Sequence, residues 1–115
     1  MIGLVATLVV AALHFVFMIL ETFLWTTKRG RKIFAQTEEQ AQATKVLAAN
    51  QGVYNGALSA LLIWASMANQ RPTMVALLVF VIFVGIYGAI TAKPTILFLQ
   101  ALPGGIALAL VLLGL

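Results

Sequence analysis

The feature that most constrains the fold of this chain is the length of its apolar runs. A membrane-spanning helix needs about 20 mostly apolar residues, because each residue adds about 1.5 Å across a hydrocarbon core of about 30 Å. The run at residues 2–25 meets that length without one lysine or arginine. In the whole chain 63% of residues are hydrophobic and 9% are charged, against about 25% charged in a soluble domain. Lipid must therefore be the solvent for much of the surface.

Three breaks divide the 115 residues into four apolar segments. A polar stretch follows the first segment, and the motifs "ANQRPT" (68–73) and "TAKPT" (91–95) each contain a proline that cannot continue a helix. We predict an all-α fold, an integral membrane four-helix bundle forming a single domain over residues 1–115. Its predicted spans are about 2–25, 40–67, 73–91 and 95–115, with a loop at 26–39.

Two local signals refine the helix boundaries. Thr37 followed three residues later by Gln40 fits a capping box, which predicts that the second helix begins near Glu38, outside the hydrocarbon. The motif "PGG" at 103–105 is predicted to bend or loosen the fourth helix.

The distribution of basic residues predicts the orientation. Four of the seven lie in "KRGRK" (28–32), Lys93 lies in the third loop, and the second loop holds only Arg71. The positive-inside rule then places loop 26–39 and the third loop in the cytoplasm, with both termini outside. We interpret the net charge of +4 as this topology signal facing anionic lipid, and we expect the lipid bilayer, not nucleic acid, as the partner. The first 27 residues lack the basic region of a signal peptide, so we read them as a permanent span.

With this orientation, all four helices place polar side chains in the cytoplasmic half of the membrane. We predict that these side chains line a cytoplasm-facing polar pocket for a small-molecule or lipid ligand. The alternative is that the amides only hold the helices together, at about 1 kcal/mol each. The candidate residues are His14 and Glu21 in the first helix, Lys45, Asn50, Gln51, Tyr54 and Asn55 in the second, Tyr87 in the third, and Gln100 in the fourth.

Glu21 is the most informative of these candidates. A carboxylate within a membrane costs on the order of 3 kcal/mol on insertion scales and is by default a functional hypothesis. Thr7, His14, Glu21 and Lys28 recur every seven residues, which places them on one face of the helix. We therefore expect Glu21 to point into the bundle and contact Lys45, Asn50 or Tyr54. Three roles stay open: an ion pair with Lys45, an interfacial carboxylate, or a group that handles a ligand or a proton.

The remaining candidate chemistry is sparse. His14 is the one histidine, and we expect a structural hydrogen bond between helices more than catalysis from it. With no cysteine and no second histidine, we predict no metal site and no cofactor.

Small residues predict close helix contacts. Gly52 and Gly56 form a GxxxG motif that lets another backbone approach. Gly85, Gly88 and Ala89 on the third helix indicate contacts between protomers, so we expect a homo-oligomer, either a dimer or a trimer.

Several motifs together identify a family resemblance that covers essentially the whole chain. "LAANQGVYNG" (47–56), preceded by "TK", resembles the signature of a small bacterial membrane family catalogued as domain of unknown function 1304. "LHFVFMILETFLW", "GRKIF", "GIYGAITAKP" and "LQALP" agree with it. The resemblance implies a four-helix protein of the bacterial inner membrane and implies no known reaction. The matching residues are His14, Glu21, Trp25, Lys45, Asn50, Gln51, Tyr54, Asn55, Tyr87, Lys93, Gln100 and Pro103.

A weaker similarity links the chain to the membrane-associated eicosanoid and glutathione (MAPEG) enzymes. Those proteins also have four helices, a basic first loop, and an Asn and a Tyr four residues apart, as Asn50 and Tyr54 are here. Lys45 is displaced by one position from their basic residue, and Val53 stands where their glutamate lies. This similarity therefore does not carry over a glutathione site.

These features leave three function classes. The first is a protein that binds or transports a small molecule through its cytoplasm-facing pocket. The second is a MAPEG-like membrane enzyme acting on a lipophilic substrate at the inner leaflet, for which Glu21 with Tyr54 or Tyr87 is the conceivable acid–base pair. The third is an accessory subunit with only structural polar groups. The contribution of polar groups from four helices favours the first.

Overall fold

Helices account for 83% of the chain, and it contains no strands. The computed structural model describes residues 1–115. Its elements are α1 (Ile2–Thr22), α2 (Lys28–Ile33), α3 (Glu38–Met67), α4 (Arg71–Thr91), a π-helical turn (Leu97–Ala101) and α5 (Leu102–Leu112). The predicted all-α class is confirmed.

Three of these helices, α1, α3 and α4, are long and apolar enough to cross a membrane. The fourth apolar segment, Leu97–Leu112, falls short of the about 20 residues that a span needs. The helical residues of this segment begin at Thr95, as predicted for the fourth helix over about 95–115, and end at Leu112, three residues before the predicted end. The first helix likewise ends at Thr22 and not at Trp25.

The loop predicted at 26–39 contains a helix. Thr27 begins α2, because its Oγ1 accepts a hydrogen bond from the Gly30 N–H at 3.1 Å. The capping box at the start of α3 is confirmed: the Thr37 N–H donates to Gln40 Oε1 at 3.0 Å, and the Gln40 N–H donates to Thr37 Oγ1 at 3.1 Å. Reciprocal capping satisfies two backbone donors that a helix start otherwise leaves unpaired.

Two prolines, Pro72 and Pro103, lie close to the starts of helices. Pro72 lies in the first turn of α4, where a missing N–H costs no helical hydrogen bond. Next to Pro103, the Leu102 N–H donates to the carbonyl of Leu97, five residues back, which is the π-helical pattern. The widened turn lies at Leu97–Ala101, just before the motif that was predicted to bend or loosen the helix, and residues 103–105 themselves lie in the regular helix α5.

By packing, the chain divides into two compact units. One comprises Met1–Leu13 and Ser59–Leu115. Leu62, Leu78 and Val81 are fully buried in its core. The Ser59 hydroxyl donates to the Ala11 carbonyl at 2.7 Å.

The other unit comprises His14–Leu58. It contains the C-terminal part of α1, the helix α2, and the N-terminal part of α3. The candidate site lies within this unit.

Candidate functional site

The centre of the site is a hydrogen bond between α1 and α3. Asn55 Nδ2 donates to Glu21 Oε1 at 2.5 Å, and both side chains are half-buried. A carboxylate has two oxygens and about four acceptor positions. The bond from Asn55 therefore orients the Glu21 carboxylate and leaves acceptor capacity for another donor.

Two glycines allow α1 to approach α3 this closely. A Cβ added to Gly52 would collide with the Thr22 hydroxyl and lie 3.1 Å from both the Met18 carbonyl oxygen and the Glu21 Cβ. A Cβ added to Gly56 would lie 2.5 Å from the Met18 sulfur. At Gly52 the backbone of α1 approaches, as the GxxxG motif predicts, whereas at Gly56 the space is taken by the Met18 side chain.

Further polar contacts continue toward the end of α1. Thr22 Oγ1 donates to the Ala49 carbonyl at 3.4 Å. The indole N–H of Trp25 donates to Thr44 Oγ1 at 3.0 Å, and the Thr44 hydroxyl donates in turn to the carbonyl of Gln40 at 2.8 Å. These bonds hold the chain that leaves α1 against the first turns of α3.

Trp25 is held from a second direction. Its ring lies 4.7 Å from that of Phe34, centroid to centroid, at an angle of 43°. Gly30 of α2 packs against the Leu24 carbonyl, where no Cβ would fit. The segment after α1 is thus built from specific contacts with α2 and α3.

An open cleft of about 330 Å³ lies beside these contacts. Its wall combines a carboxylate, an ammonium group, an amide, two hydroxyls and two aromatic rings. The lining residues are Glu21, Thr22, Phe23, Trp25, Thr26, Lys45, Val46, Ala49 and Asn50. A surface of this composition can contact an apolar group and hydrogen-bond a polar one at the same time.

The structure brings four of the predicted site residues together. Glu21, Lys45 and Asn50 line the cleft, and Asn55 bonds to Glu21. The hydrogen-bond partner of Glu21 is Asn55, a residue outside the three for which the sequence led us to expect a contact. Of those three, Lys45 and Asn50 line the same cleft as Glu21.

The other predicted site residues lie elsewhere. Gln51 is exposed, and Tyr54 and Tyr87 are 73% and 66% exposed. His14 is fully buried, and its ring meets the ring of Phe17 edge to face at 5.2 Å. Gln100 is half-buried in the π-helical turn.

Sequence reasoning missed the roles of Thr22, Trp25 and Thr44. The sequence does contain a pattern that indicates the contact face of α3. Small and polar residues recur there at the three- and four-residue spacing of one helix face: Gly52, Asn55, Gly56 and Ser59. Reading that small-residue face as the contact face would have selected Asn55 as the partner of Glu21.

Comparisons with known proteins agree with the motif resemblance. The family model described as "Protein of unknown function (DUF1304)" matches residues 8–112. The uncharacterized protein YpaA of Lactococcus lactis subsp. lactis (strain IL1403) is 32% identical over 108 residues, which cover 90% of this chain and 88% of that protein. No solved structure matches. The chain therefore belongs to the DUF1304 family, whose function is unknown.

Proposed function

We infer that this protein is a small multi-pass membrane protein that binds a small amphipathic molecule in the cleft beside Glu21. The observation that carries the proposal is the placement of a carboxylate, oriented by Asn55, on the wall of a cleft that also contains Trp25 and Lys45. The apolar helices α1, α3 and α4 support the membrane setting.

The lining indicates the chemistry of the ligand. Glu21 has acceptor positions for an amine or hydroxyl donor, and the Lys45 ammonium has donors for an oxygen or an anionic group. Phe23 and Trp25 supply apolar surface to the same cleft. A ligand with one apolar part and both donor and acceptor groups fits this arrangement.

The basic residues of α2 support a cytoplasmic position for the cleft. Lys28, Arg29, Arg31 and Lys32 all lie in α2, within a few residues of the cleft residue Thr26. By the positive-inside rule, this end of α1 faces the cytoplasm. The ligand would then enter from the cytoplasm or the inner leaflet of the bacterial cytoplasmic membrane.

Extraction of bound molecules tests the proposal. We would purify the wild type, Glu21→Gln and the matched control Glu39→Gln in mild detergent and compare co-purified small molecules by mass spectrometry. Glu39 is an exposed carboxylate at the start of α3 and is not among the cleft residues. We expect one species retained by the wild type and Glu39→Gln and lost from Glu21→Gln. Equal recovery from all three proteins would reject Glu21 as a ligand-binding group.

A structural role is the second candidate, and the helix contacts themselves favour it. The Glu21–Asn55 and Trp25–Thr44 bonds both join the α1 side of the unit to α3. If Glu21 acts only in this way, Glu21→Gln keeps most of the thermal stability, because glutamine still offers an acceptor oxygen to Asn55, and the co-purified molecules stay unchanged. If Glu21 binds a ligand, the same substitution keeps most of the stability but loses the co-purified molecule.

A MAPEG-like enzyme is the third candidate and has weaker support. The conceivable pairing of Glu21 with Tyr54 requires the two side chains to share a site. Tyr54 is 73% exposed and is not among the lining residues of the cleft that contains Glu21.

A further inference from the structure

A row of exposed residues runs along α3 on the side opposite its contact with α1. The row is spaced alternately three and four residues apart, which is the a/d spacing of a heptad seam. Leu47 is 72% exposed and Tyr54 is 73% exposed. We call this row the α3 seam; it consists of Leu47, Asn50, Tyr54, Ala57, Leu61 and Trp64, all exposed.

The polar residues of the α3 seam, Asn50 and Tyr54, lie in the part of α3 that crosses the hydrocarbon. Counting back from Met67, the last residue of α3, the about 20 residues that cross the hydrocarbon reach Ala48. Asn50 and Tyr54 are then inside the boundary. A hydrogen-bonding group facing hydrocarbon costs free energy unless another polar group meets it.

Asn50 is only partly satisfied within its own chain. Its Nδ2 donates to the Val46 carbonyl at 2.8 Å, one turn earlier on the same helix. That bond uses one of the two donor hydrogens and neither acceptor position of the amide. The amide of a second asparagine can pair with the free donor hydrogen and with the acceptor oxygen, because an amide is a donor and an acceptor at once.

The small residues of α4 do not offer an equivalent face. A Cβ on Gly85 would lie 2.8 Å from the Ala101 backbone nitrogen, and one on Gly88 would lie 3.3 Å from Ile96. These glycines therefore pack against the following segment of their own chain. This finding removes two of the three α4 residues on which the expectation of contacts between protomers rested.

We propose that the α3 seam pairs with the α3 seam of a second copy of this chain. The two copies share one orientation in the membrane, so a twofold axis along the membrane normal brings the helices together in parallel. Asn50 then meets the partner's Asn50, and this polar pair sets the register, as a single asparagine at a seam position does in coiled coils. Because Asn50 also lines the cleft, the cleft lies beside the interface.

Cysteine scanning tests the seam directly, since the natural chain contains no cysteine. Leu47→Cys, Ala57→Cys and Leu61→Cys would each be placed in the full chain in lipid vesicles and oxidised with copper phenanthroline. Val53→Cys and Phe83→Cys are matched controls, because both positions are exposed but lie outside the seam. A disulfide needs Cα atoms within about 7 Å of each other.

We expect cross-linked dimers at the three seam positions and severalfold less at the two controls. Uniform cross-linking at all five positions, or dimers only at Phe83→Cys, would overturn the proposal. A cross-link from the seam to a protein of different mass, without the dimer, would overturn it as well.

Asn50→Leu provides an independent test of the register. Hydrogen bonds between helices in membranes are modest, so the loss of this one should weaken dimerisation by roughly threefold to tenfold, measured by energy transfer between labelled copies diluted in vesicles. Gln51→Leu, at a neighbouring exposed position outside the seam, should leave dimerisation unchanged. Equal effects of the two substitutions would show that Asn50 does not set the pairing.

Discussion

Asn55 donates to the Glu21 carboxylate at 2.5 Å, whereas Asn50, five residues earlier on the same helix, donates to the carbonyl of Val46. The two asparagines therefore have different structural roles. Asn55 lies on the small-residue face with Gly52 and joins α3 to α1. Asn50 faces away from that contact, on the exposed side of α3.

Removal of the Asn55 amide tests whether its hydrogen bond to Glu21 stabilises the fold. Asn55→Ala leaves a half-buried carboxylate without its donor, and such a loss costs about 1–3 kcal/mol. We expect the midpoint of unfolding by heat, or by denaturing detergent, to fall by a corresponding amount. Gln51→Ala removes an exposed amide from the same helix and should shift unfolding by less than about 0.5 kcal/mol. A similar shift for both variants would contradict the bond to Glu21.

Packing at Gly52 predicts an effect of similar size from the addition of a single methyl group. Gly52→Ala places a methyl group against the Thr22 hydroxyl and the Met18 carbonyl. Such overpacking costs about 1–3 kcal/mol. The matched control is Gly105→Ala in α5, where a Cβ meets nothing within 4 Å.

The control should even stabilise the helix, by about 0.5–1 kcal/mol, because alanine loses less backbone entropy than glycine. Thermal unfolding of the two variants should therefore shift in opposite directions. Shifts of the same sign would mean that α1 does not approach α3 at Gly52.

The bond between Trp25 and Thr44 predicts a coupling energy. Trp25→Phe and Thr44→Val each remove one partner of the 3.0 Å hydrogen bond. In a double-mutant cycle the two changes should couple by about 0.5–1.5 kcal/mol in the free energy of unfolding. Pairing Trp25→Phe with Thr95→Val, an exposed threonine distant in sequence, should give additive effects.

Topology predicts where single cysteines are labelled. Lys32→Cys lies at an exposed position of α2, and Asn69→Cys lies at an exposed position between α3 and α4. In intact cells a membrane-impermeant maleimide should label Asn69→Cys and not Lys32→Cys, because the basic segment stays in the cytoplasm. Labelling in the reverse pattern would invert the orientation and place the cleft on the outer side.

Much of this architecture follows from local sequence alone. The apolar runs determine where α1, α3 and α4 lie, because only a helix satisfies its own backbone hydrogen bonds in lipid. The Thr37–Gln40 capping box determined the start of α3, and Pro72 its break from α4, since capping and the missing N–H are properties of a few neighbouring residues. The short helix α2 was missed because its cap at Thr27 also depends on the Leu24 carbonyl that packs against Gly30.

The rotation of α3 about its axis depends on contacts between helices that are distant in sequence. Asn50 and Asn55 are about 140° apart around an ideal helix, so one rotation brings just one of them to α1. Both sides of α3 carry polar residues, so composition alone does not show which side contacts α1. The close approach of α1 selected the face that carries Gly52 and Gly56, because the Met18 carbonyl packs against Gly52, and the Met18 side chain against Gly56, only where α3 has no side chain.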